Sequence, residues 1–372
     1  MIKNKAMKVK LFLILGSVLL SGCGGRNYYN IEVDNPRYQP NTVFQDYEDL
    51  TSPRFSHLID KYQLDTIFHG ETDEFKRILL LRHWIKSVIA ISDFEKSYPG
   101  EGNPEGILDA ALKGQGYHCG HFMVVQNAVM NAYGYVTRTL GAGPGVMGGP
   151  DGHHGINEIW LNQYNKWFLS DAKYDHHFEK DGIPLSALEI RDEFLKNKAA
   201  DITKVKGPQR IPFDIDAETG YSKEQNAQTY TWIEWHCYTN PFTRWPESKD
   251  LLIMYEDDYF KNNTWIWGGK PHWAYAKPEF MKLVQDRNAI YWTPNTIASQ
   301  VEISGKVAHI ALQSTTPNLK EYQVKELPAG EWSKAEASFD LPLKKSKHEI
   351  VIRALNLADV AGPEHRIMTD SK

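Results

Sequence analysis

One cysteine of the chain opens a run of residues with helical spacing. Cys119 follows a glycine-rich breaker, and small and apolar residues then recur at helical spacing as far as Tyr133. Cys119 is therefore predicted at a helix N-terminus, where the partial positive charge of the helix favours a thiolate. The backbone amides of the first turn would also donate to the oxyanion that forms when the thiolate attacks a carbonyl. This pattern is typical of a cysteine nucleophile.

A cysteine nucleophile also needs a histidine to carry its proton and an acid to orient that histidine. His154 stands at the start of a predicted strand, and Asp171 stands at the end of the next one, beyond a turn at residues 162–165. On neighbouring antiparallel strands these two side chains can lie side by side. His153 is the competing base, but the strand register favours His154 and leaves His153 as an exposed histidine in a loop. The candidate catalytic residues are therefore Cys119, His154 and Asp171.

Cys237 provides an alternative fate for the candidate nucleophile. Two cysteines in an oxidising compartment can form a disulfide, and a bond between Cys119 and Cys237 would remove the free thiol. The alternative is decided by the distance between the two sulfur atoms.

A cluster of acidic and histidine residues also invites comparison with zinc sites. It contains Asp175, His176 and His177, together with the histidine pair at 153–154. The chain has no His-Glu-x-x-His or Cys-x-x-Cys spacing, which is what zinc enzymes of the common classes use. We therefore expect neither a metal ion nor another cofactor.

The elements around the candidate residues follow from periodicity and breakers. Helices are predicted where apolar residues recur at helical spacing, and strands where β-branched and aromatic residues cluster or alternate. The predicted helices are Asp73–Ser92, Glu105–Leu112 and Cys119–Tyr133, and the predicted strands are Tyr135–Leu140, Ile156–Trp160, Lys166–Ser170, Ala289–Trp292, Ser299–Ile303, Val307–Gln313, Glu321–Glu326, Ala335–Leu341 and His348–Ala354.

These elements divide most of the chain into three regions. Residues 57–205 contain helices followed by an antiparallel sheet, which indicates an α+β domain around the candidate site. Residues 206–287 are irregular and rich in tryptophan, and we predict a connecting region that folds back over the α+β domain and forms one wall of its cleft. Within it, Trp265 and Trp267 are the best candidates for binding a sugar ring or an extended peptide. Residues 288–372 show the short alternating runs of an immunoglobulin-like β-sandwich.

The N-terminus has the pattern of a secretion signal. The first ten residues carry four lysines and lead into the apolar run Leu11–Leu20, which is too short to cross a membrane as a helix. Small residues then precede Cys23, as in the lipobox where bacterial lipoprotein signals are cut and the new N-terminal cysteine is acylated. We predict a signal peptide at 1–22, lipidation of Cys23, and a tether over 23–56. The membrane is then a partner through the lipid anchor, at the periplasmic face or the surface of a bacterial cell envelope.

The composition excludes one broad class of function. The 372 residues carry a formal net charge of -5, and 41% of them are hydrophobic. That hydrophobic fraction supports domains with a sizeable core, and the negative balance provides no basic stripe. We expect no binding of nucleic acid.

Four segments around the candidate residues form an ordered set that resembles the core of the transglutaminase-like superfamily, whose fold is related to papain. The segments are Gly116–Gly120, Tyr135–Arg138, His154–Ile159 and Trp167–Asp171. The resemblance implies that Cys119 is the nucleophile, His154 the base and acid, and Asp171 the partner of the histidine. It also implies a papain-like α+β fold for the domain that contains them.

Two positions differ from the pattern of the family. Ile156 stands where the family has an aromatic residue two positions after the histidine, and His118 stands where animal transglutaminases have glutamine. Nothing in the sequence marks an amine-binding site, so hydrolysis of an amide through a thioester is expected before acyl transfer to an amine. Arg138 and Glu158 are expected to form a structural ion pair beneath the site.

The sequence therefore predicts an exported cysteine hydrolase or acyl transferase that acts on a peptide, cell-wall or glycan-linked substrate. Two other classes stay open. One is a carbohydrate-processing enzyme such as a polysaccharide lyase, and the other is a non-catalytic lipoprotein that binds a polysaccharide or a protein. Rapid labelling of Cys119 near neutral pH distinguishes the cysteine enzyme from both.

Overall fold

The computed structural model describes most of the chain beyond its N-terminus. The described residues are 29–34, 36–92, 103–143, 153–243, 251–267, 270–272, 278–344 and 346–371. The predicted signal peptide at 1–22 and the lipidation site Cys23 lie outside them. Within the described ranges, no helix is both long enough and apolar enough to cross a membrane.

Several helices surround one buried helix in the first half of the chain, and further short helices follow in the second half. The helices are α1 (Pro53–Tyr62), α2 (Glu74–Val88), α3 (Pro104–Ala111), α4 (Cys119–Ala132), α5 (Ala187–Asn197), α6 (Lys223–Gln228), α7 (Asp258–Asn262) and α8 (Arg287–Ile290), with 3-10 turns at Leu64–Phe68, Thr229–Thr231 and Pro278–Phe280. Helix α4 packs against α1, α2 and α3. Its residues from His121 to Asn131 are all buried, so its N-terminus is held by the surrounding helices.

The strands before residue 240 are mostly short. They are β1 (Tyr29–Asp34), β2 (Gln45–Tyr47), β3 (Ala90–Ile91), β4 (Gly116–Tyr117), β5 (Thr137–Gly143), β6 (His154–Leu161), β7 (Lys166–Ser170), β8 (His176–Lys180), β9 (Ile183–Pro184), β10 (Thr203–Lys206), β11 (Ile211–Pro212), β12 (Trp232–His236) and β13 (Tyr238–Thr239). Those after it are β14 (Leu252–Tyr255), β15 (Ile266–Trp267), β16 (Lys270–Pro271), β17 (Met281–Val284), β18 (Ile297–Ser304), β19 (Val307–Ser314), β20 (Leu319–Leu327), β21 (Ser333–Ala335), β22 (Ser338–Pro342), β23 (His348–Asn356) and β24 (His365–Ser371). The chain is thus a mixture of helices and several separate sheets.

A six-stranded sheet in the order β17-β14-β12-β5-β6-β7 forms the centre of the first part of the fold. Alternate side chains of its strands are buried on opposite faces of the sheet, as the two-residue period of a strand requires. Ile159 and Leu161 of β6 join the core formed with α1 to α4. Ile156 and Trp160 of the same strand join the core on the side of α5. The sheet is therefore buried on both faces and holds β6 firmly against α4.

The predicted connecting region at 206–287 belongs to this sheet. Strands β12, β14 and β17 all come from it, and β12 pairs directly with β5 from the α+β domain. The boundary predicted at residue 205 therefore divides one sheet. The sequence did not predict this pairing for a physical reason. Strand β12 forms hydrogen bonds with a segment far away in the chain, and short aromatic runs have no periodicity from which such pairing can be predicted.

The predicted tether at 23–56 is also part of the fold from Tyr29 onward. Strand β1 pairs antiparallel with β24 over six residue pairs, and β2 pairs with β13. Helix α1 then begins at Pro53, after the Ser52 side chain caps its first turn. The prediction of a tether is therefore wrong for these residues, because pairing with the last strand of the chain supplies the order.

Residues beyond 288 form two antiparallel sheets that share one core. One sheet has the order β18-β19-β22, and the other has the order β1-β24-β23-β20-β21. Ile310 from the first and Ile352 from the second are both fully buried in that core. The strand predicted at 289–292 is instead the end of helix α8, whose first turn is capped by the Asp286 side chain. Strand β24 was not predicted.

Candidate active site

The start of helix α4 packs directly against strand β6. His118 is the N-cap residue, and its Nδ1 accepts a hydrogen bond of 3.1 Å from the Gly120 N–H. Gly155 of β6 faces the same turn, and a Cβ added there would lie 3.3 Å from the Gly120 Cα. Because glycine stands at both contact points, the backbones approach closely. Cys119, the first residue of α4, is thereby held next to the first residues of β6.

The structure brings Cys119, His154 and Asp171 together. The His154 Nε2–H donates to Asp171 Oδ2 over 2.7 Å, and the two side chains are only 12% and 1% exposed. The Cys119 thiol lies close enough to the same imidazole for each group to shift the pKa of the other. Since Nε2 is engaged by the carboxylate, Nδ1 is the nitrogen left for the sulfur. Asp171 is fixed in turn by the Tyr174 N–H, at 3.2 Å from its Oδ1. The order is that of a nucleophile, a base and an orienting acid.

The charges of these groups stabilise one another. Burial alone would raise the pKa of the Cys119 thiol, but hydrogen bonds from three imidazoles and the charge of His154 outweigh it and hold that pKa well below its usual range. Burial likewise opposes a charged His154, yet the Asp171 carboxylate and the Cys119 contact raise its pKa to about 10. The pKa of Asp171 is lowered, because His154 outweighs its burial. The arrangement therefore favours a thiolate beside an imidazolium at neutral pH.

His153 is not the exposed loop histidine that strand register predicted. Its side chain is 30% exposed, and its Nε2 lies 3.3 Å from Oε1 of Glu234, which is 4% exposed. It also lies close enough to Cys119 for the thiol to act on its pKa. Although burial opposes its charge, the contacts with Cys119 and Glu234 raise the pKa of His153 to about 9. Glu234 lies on β12, which pairs with β5 but follows it by about ninety residues, so no local pattern pointed to the pair.

Trp265 reaches the site but does not offer the stacking face that was predicted. Its ring lies nearly parallel to His153 at a centroid distance of 5.9 Å and to His272 at 4.3 Å. Its relative exposure is 0%, and it shares a small core with Trp232. The prediction that Trp265 binds substrate through an exposed edge is therefore corrected: the two imidazoles cover the indole. Trp267 lies on β15, and its side chain is outside the described residues.

The predicted ion pair beneath the site is present and buried. Arg138 donates to Glu158 Oε2 from Nε at 3.0 Å and from a terminal nitrogen at 2.6 Å, with both side chains at most 1% exposed. Glu158 also accepts from the Trp235 indole N–H at 2.8 Å and the Ala187 N–H at 2.7 Å. All of these hydrogen bonds are made to other buried groups of the protein. The ion pair therefore connects β5, β6 and β12 and stabilises the sheet that carries the site.

Two members of the histidine and acid cluster considered for zinc, Asp175 and His177, contact the Arg82 guanidinium. Asp175 pairs with Arg82 at 2.8 Å and with His83 at 2.6 Å. His177 lies between Arg82, at 3.1 Å, and Glu179, at 2.8 Å. Across the part of the chain that the structure describes, no group of three or more histidine, cysteine and acidic side chains is arranged to hold a metal ion.

Cys119 and Cys237 are both free thiols in the structure. The Cys237 thiol is buried and donates to the Val43 carbonyl oxygen over 3.3 Å, while Cys119 is partly exposed. Burial raises the pKa of Cys237, in contrast to Cys119. The disulfide alternative is therefore not the arrangement found, and the two thiols form a natural pair of test and control.

Comparison with known proteins provides little beyond this geometry. No protein-family model matches the chain, and no curated protein is significantly similar to it. Among solved structures, the chain is similar to red sea bream transglutaminase at 10% sequence identity, with a TM-score of 0.24 over 79% of this chain and 68% of that one. A TM-score of this size does not establish a shared fold, so functional inference depends on the side chains described above.

Proposed function

We propose that the protein is a cysteine hydrolase of the transglutaminase-like superfamily, which cleaves an amide through a thioester on Cys119. The observation that supports it is the hydrogen bond between His154 and Asp171 beside Cys119, at the start of a buried helix, where the His154 imidazole lowers the pKa of the thiol. The ordered sequence segments around these residues, which resemble that superfamily, support it independently.

The reaction follows from the protonation states. The Cys119 thiolate attacks the carbonyl carbon, a C–S bond forms, and the π electrons move to the oxygen. As the C–N bond breaks, the leaving amine takes the proton from His154, and a thioester remains. Water then attacks the thioester while His154 takes its proton, and collapse of that intermediate breaks the C–S bond, releases a carboxylic acid and returns the thiolate beside the imidazolium. Asp171 keeps the imidazole in the required orientation throughout.

The substrate class is a peptide, cell-wall or glycan-linked amide. An amine that replaces water in the second step would convert the same site into an acyl transferase, since the thioester is common to both reactions. The two outcomes are separated by supplying a primary amine and weighing the product.

We also propose that the protein is a lipoprotein of the bacterial cell envelope, anchored through Cys23, with an immunoglobulin-like sandwich formed by the two C-terminal sheets. Strand β1 begins at Tyr29, so six backbone steps separate it from Cys23. At no more than about 3.6 Å per step, the fold would lie within roughly 20 Å of the anchor. Expression in a lipoprotein-competent host should give a membrane-associated form that Cys23→Ser releases or leaves uncut. A wild-type protein found in the soluble fraction and cleaved elsewhere would contradict the anchor.

The carbohydrate alternative loses one of its two candidate stacking residues, because stacking on a sugar needs an exposed ring and Trp265 is buried. A purely binding role would not require a thiol held in its reactive form. Both alternatives remain outcomes of the following test.

The test is the rate of alkylation by iodoacetamide as a function of pH, followed by mass spectrometry of each cysteine. Cys119 should react at pH 6 to 7 much faster than a free cysteine, whose pKa is about 8.5, and Cys237 should remain unlabelled as the internal control. Cys119→Ala should abolish both the labelling and the release of amine from a panel of cell-wall peptides and acidic glycans. A Cys119 that reacts no faster than free cysteine at neutral pH would refute the proposal.

A further inference from the structure

A row of three residues crosses the sheet beside the Cys119 helix start. Gly155 on β6 is directly opposite Gly141 on β5, and Gly141 is directly opposite Glu234 on β12. Residues opposite one another on antiparallel strands lie on the same face of a sheet. Since Gly155 contacts Gly120 of helix α4, Glu234 projects from the face on which the helix begins.

The glycine in the middle of this row leaves the space in which His153 meets Glu234. A Cβ added to Gly141 would lie 2.6 Å from Glu234 Oε1 and 2.8 Å from His153 Nε2. Both distances are shorter than contacts of real Cβ atoms, so any other residue at 141 would displace the pair. The absence of a side chain at this position is therefore a requirement of the contact between His153 and Glu234.

His153 is held on several sides. Glu234 accepts from its Nε2 at 3.3 Å, the Trp265 ring stacks on its face, and Cys119 lies close enough to raise its pKa. With Nε2 directed at the carboxylate, Nδ1 is the nitrogen left for the sulfur. Glu234 also faces His272 at 3.5 Å, whose pKa burial lowers, so His272 is neutral and leaves the negative charge of Glu234 to His153.

The thiolate therefore lies between two imidazoles, each backed by a buried carboxylate. Only one of them is needed to carry the proton to the leaving group, and the His154–Asp171 pair is the tighter of the two at 2.7 Å against 3.3 Å. The second imidazolium, His153, can therefore have a different role. The helix start indicates that role. The Gly120 N–H already donates to His118, so this amide of the first turn is engaged when the oxyanion forms, and the oxyanion needs another donor.

We infer that His153 is a second catalytic residue, which remains protonated and donates its Nδ1–H to the carbonyl oxygen of the substrate in the tetrahedral intermediate, while Glu234 positions it. When the thiolate attacks, the new C–S bond takes up the sulfur electron pair, and the hydrogen bond of His153 passes from sulfur to the oxyanion. When the C–N bond breaks, the oxyanion electrons restore the C=O bond and the proton for nitrogen comes from His154. The proton of His153 is never transferred. The inference rests on the proposed function of Cys119.

Two electrophiles distinguish this role from a simple effect on the thiol. Alkylation by iodoacetamide forms no oxyanion, whereas acylation by p-nitrophenyl acetate passes through one. Both require the thiolate, so the ratio of the two second-order rate constants at one pH cancels any change in thiolate fraction. A donor to the oxyanion changes the ratio, and a residue that acts only on the thiol pKa does not.

The variants are His153→Ala and the double variant His153→Ala with Glu234→Gln, which avoids leaving a buried carboxylate without its partner. We expect the ratio of acylation to alkylation to fall about 100-fold in both, the usual effect of removing one oxyanion donor. His118→Ala is the matched control, because His118 also hydrogen-bonds to Cys119 but its loss frees the Gly120 N–H, and its ratio should not fall.

Glu234→Gln alone tests the positioning role through the pH profile. The titratable groups of the described residues that act on His153 include Cys119 and Glu234, with His272 on the far side of Trp265 and His154 adjacent in the chain. The ratio should stay constant in the wild type up to about pH 9 and decline above it, since His153 then loses its proton. In Glu234→Gln the decline should begin at lower pH. A purely structural role for Glu234 would not move this profile.

The possible failures are distinct. A ratio in His153→Ala and in the double variant within about twofold of the wild type, with slower alkylation, would overturn the inference and leave Cys119 as the nucleophile. A wild-type Cys119 that reacts with neither reagent faster than free cysteine would refute the proposed function, and the inference with it.

Discussion

Replacement of Asp171 by asparagine tests the candidate triad with the least change in shape. The carboxylate lies 2.7 Å from His154 Nε2 and is 1% exposed, so solvent does not screen the pair. An amide at this position keeps the volume of the side chain and removes its charge. It also presents either an acceptor or a donor to Nε2, and a donor would force the imidazole into the wrong tautomer.

The size of the effect follows from the charge that is lost. Two unit charges about 4 Å apart interact by roughly 4 kcal/mol at the effective dielectric constant of 20 that suits such sites. Since about 1.4 kcal/mol corresponds to a factor of ten, the imidazolium of His154 loses stabilisation equivalent to about 10³-fold in its protonation equilibrium. Because the pKa of His154 starts at about 10, this loss would bring it close to neutrality. We therefore expect the acylation rate of Cys119 at pH 9 to fall by about 100-fold, and the pH at which Cys119 alkylation reaches half its maximum to rise.

The assay is the pH dependence of both rates between pH 4 and 11. In the wild type, the thiolate persists as pH falls until the lowered pKa of Cys119 is reached, and acylation declines at high pH as His154 loses its proton near its pKa of about 10. In Asp171→Asn the high-pH limb should shift toward neutrality. Asp175→Asn is the matched control, because Asp175 is equally buried but pairs with Arg82. The acyl donor is an anilide, because its amine leaving group needs the His154 proton whereas p-nitrophenolate does not. An acylation rate of Asp171→Asn at pH 9 within tenfold of the wild type would refute the reasoning.

The same pair makes stability depend on pH. The raised pKa of His154 means that its contribution to the free energy of unfolding is complete below about pH 6.5, its ordinary value, and is lost as pH rises through about 10. The lowered pKa of Asp171 means that its contribution is complete above about pH 3.8 and is lost as pH falls below that value. Both contributions are complete between about pH 3.8 and 6.5. Urea denaturation should therefore show that Asp171→Asn lowers the free energy of unfolding most in this pH range.

Three further substitutions address the surroundings of the site. Gly141→Ala should lower acylation of Cys119 more than its alkylation, because the new Cβ would lie 2.6 Å from Glu234 Oε1; equal losses would contradict this. Trp265→Ala should reduce the free energy of unfolding by about 3 to 5 kcal/mol, measured by urea denaturation, since its indole is fully buried. Unchanged stability with weaker substrate binding would restore the earlier prediction of a binding role. Glu158→Gln should cost about 3 to 5 kcal/mol by leaving Arg138 buried without its partner, and a loss below 1 kcal/mol would contradict a structural role.

Features that depend on neighbours in the chain were accessible from the sequence. The helix predicted from Cys119 begins at that residue, and the strand predicted at 166–170 has those bounds in the structure. His154 and Asp171 could be expected to meet because a short turn joins their strands, and antiparallel strands joined in this way pair directly. The periodicity of side chains and the residues of turns are local signals, and these elements use them.

Features that depend on distant pairing were decided by the tertiary structure alone. Glu234 reaches His153 only because β12 pairs with β5, and the region that carries it had no pattern that foretold a strand in the central sheet. The same is true of β1, which pairs with the last strand of the chain, and of Trp265, whose indole is covered by imidazoles from separate segments. Hydrogen bonds between strands are made by backbone groups that every residue carries, so their partners are selected by the packing of the whole fold. The sequence alone thus determined the candidate nucleophile and its candidate base, and the fold determined which side chains surround them.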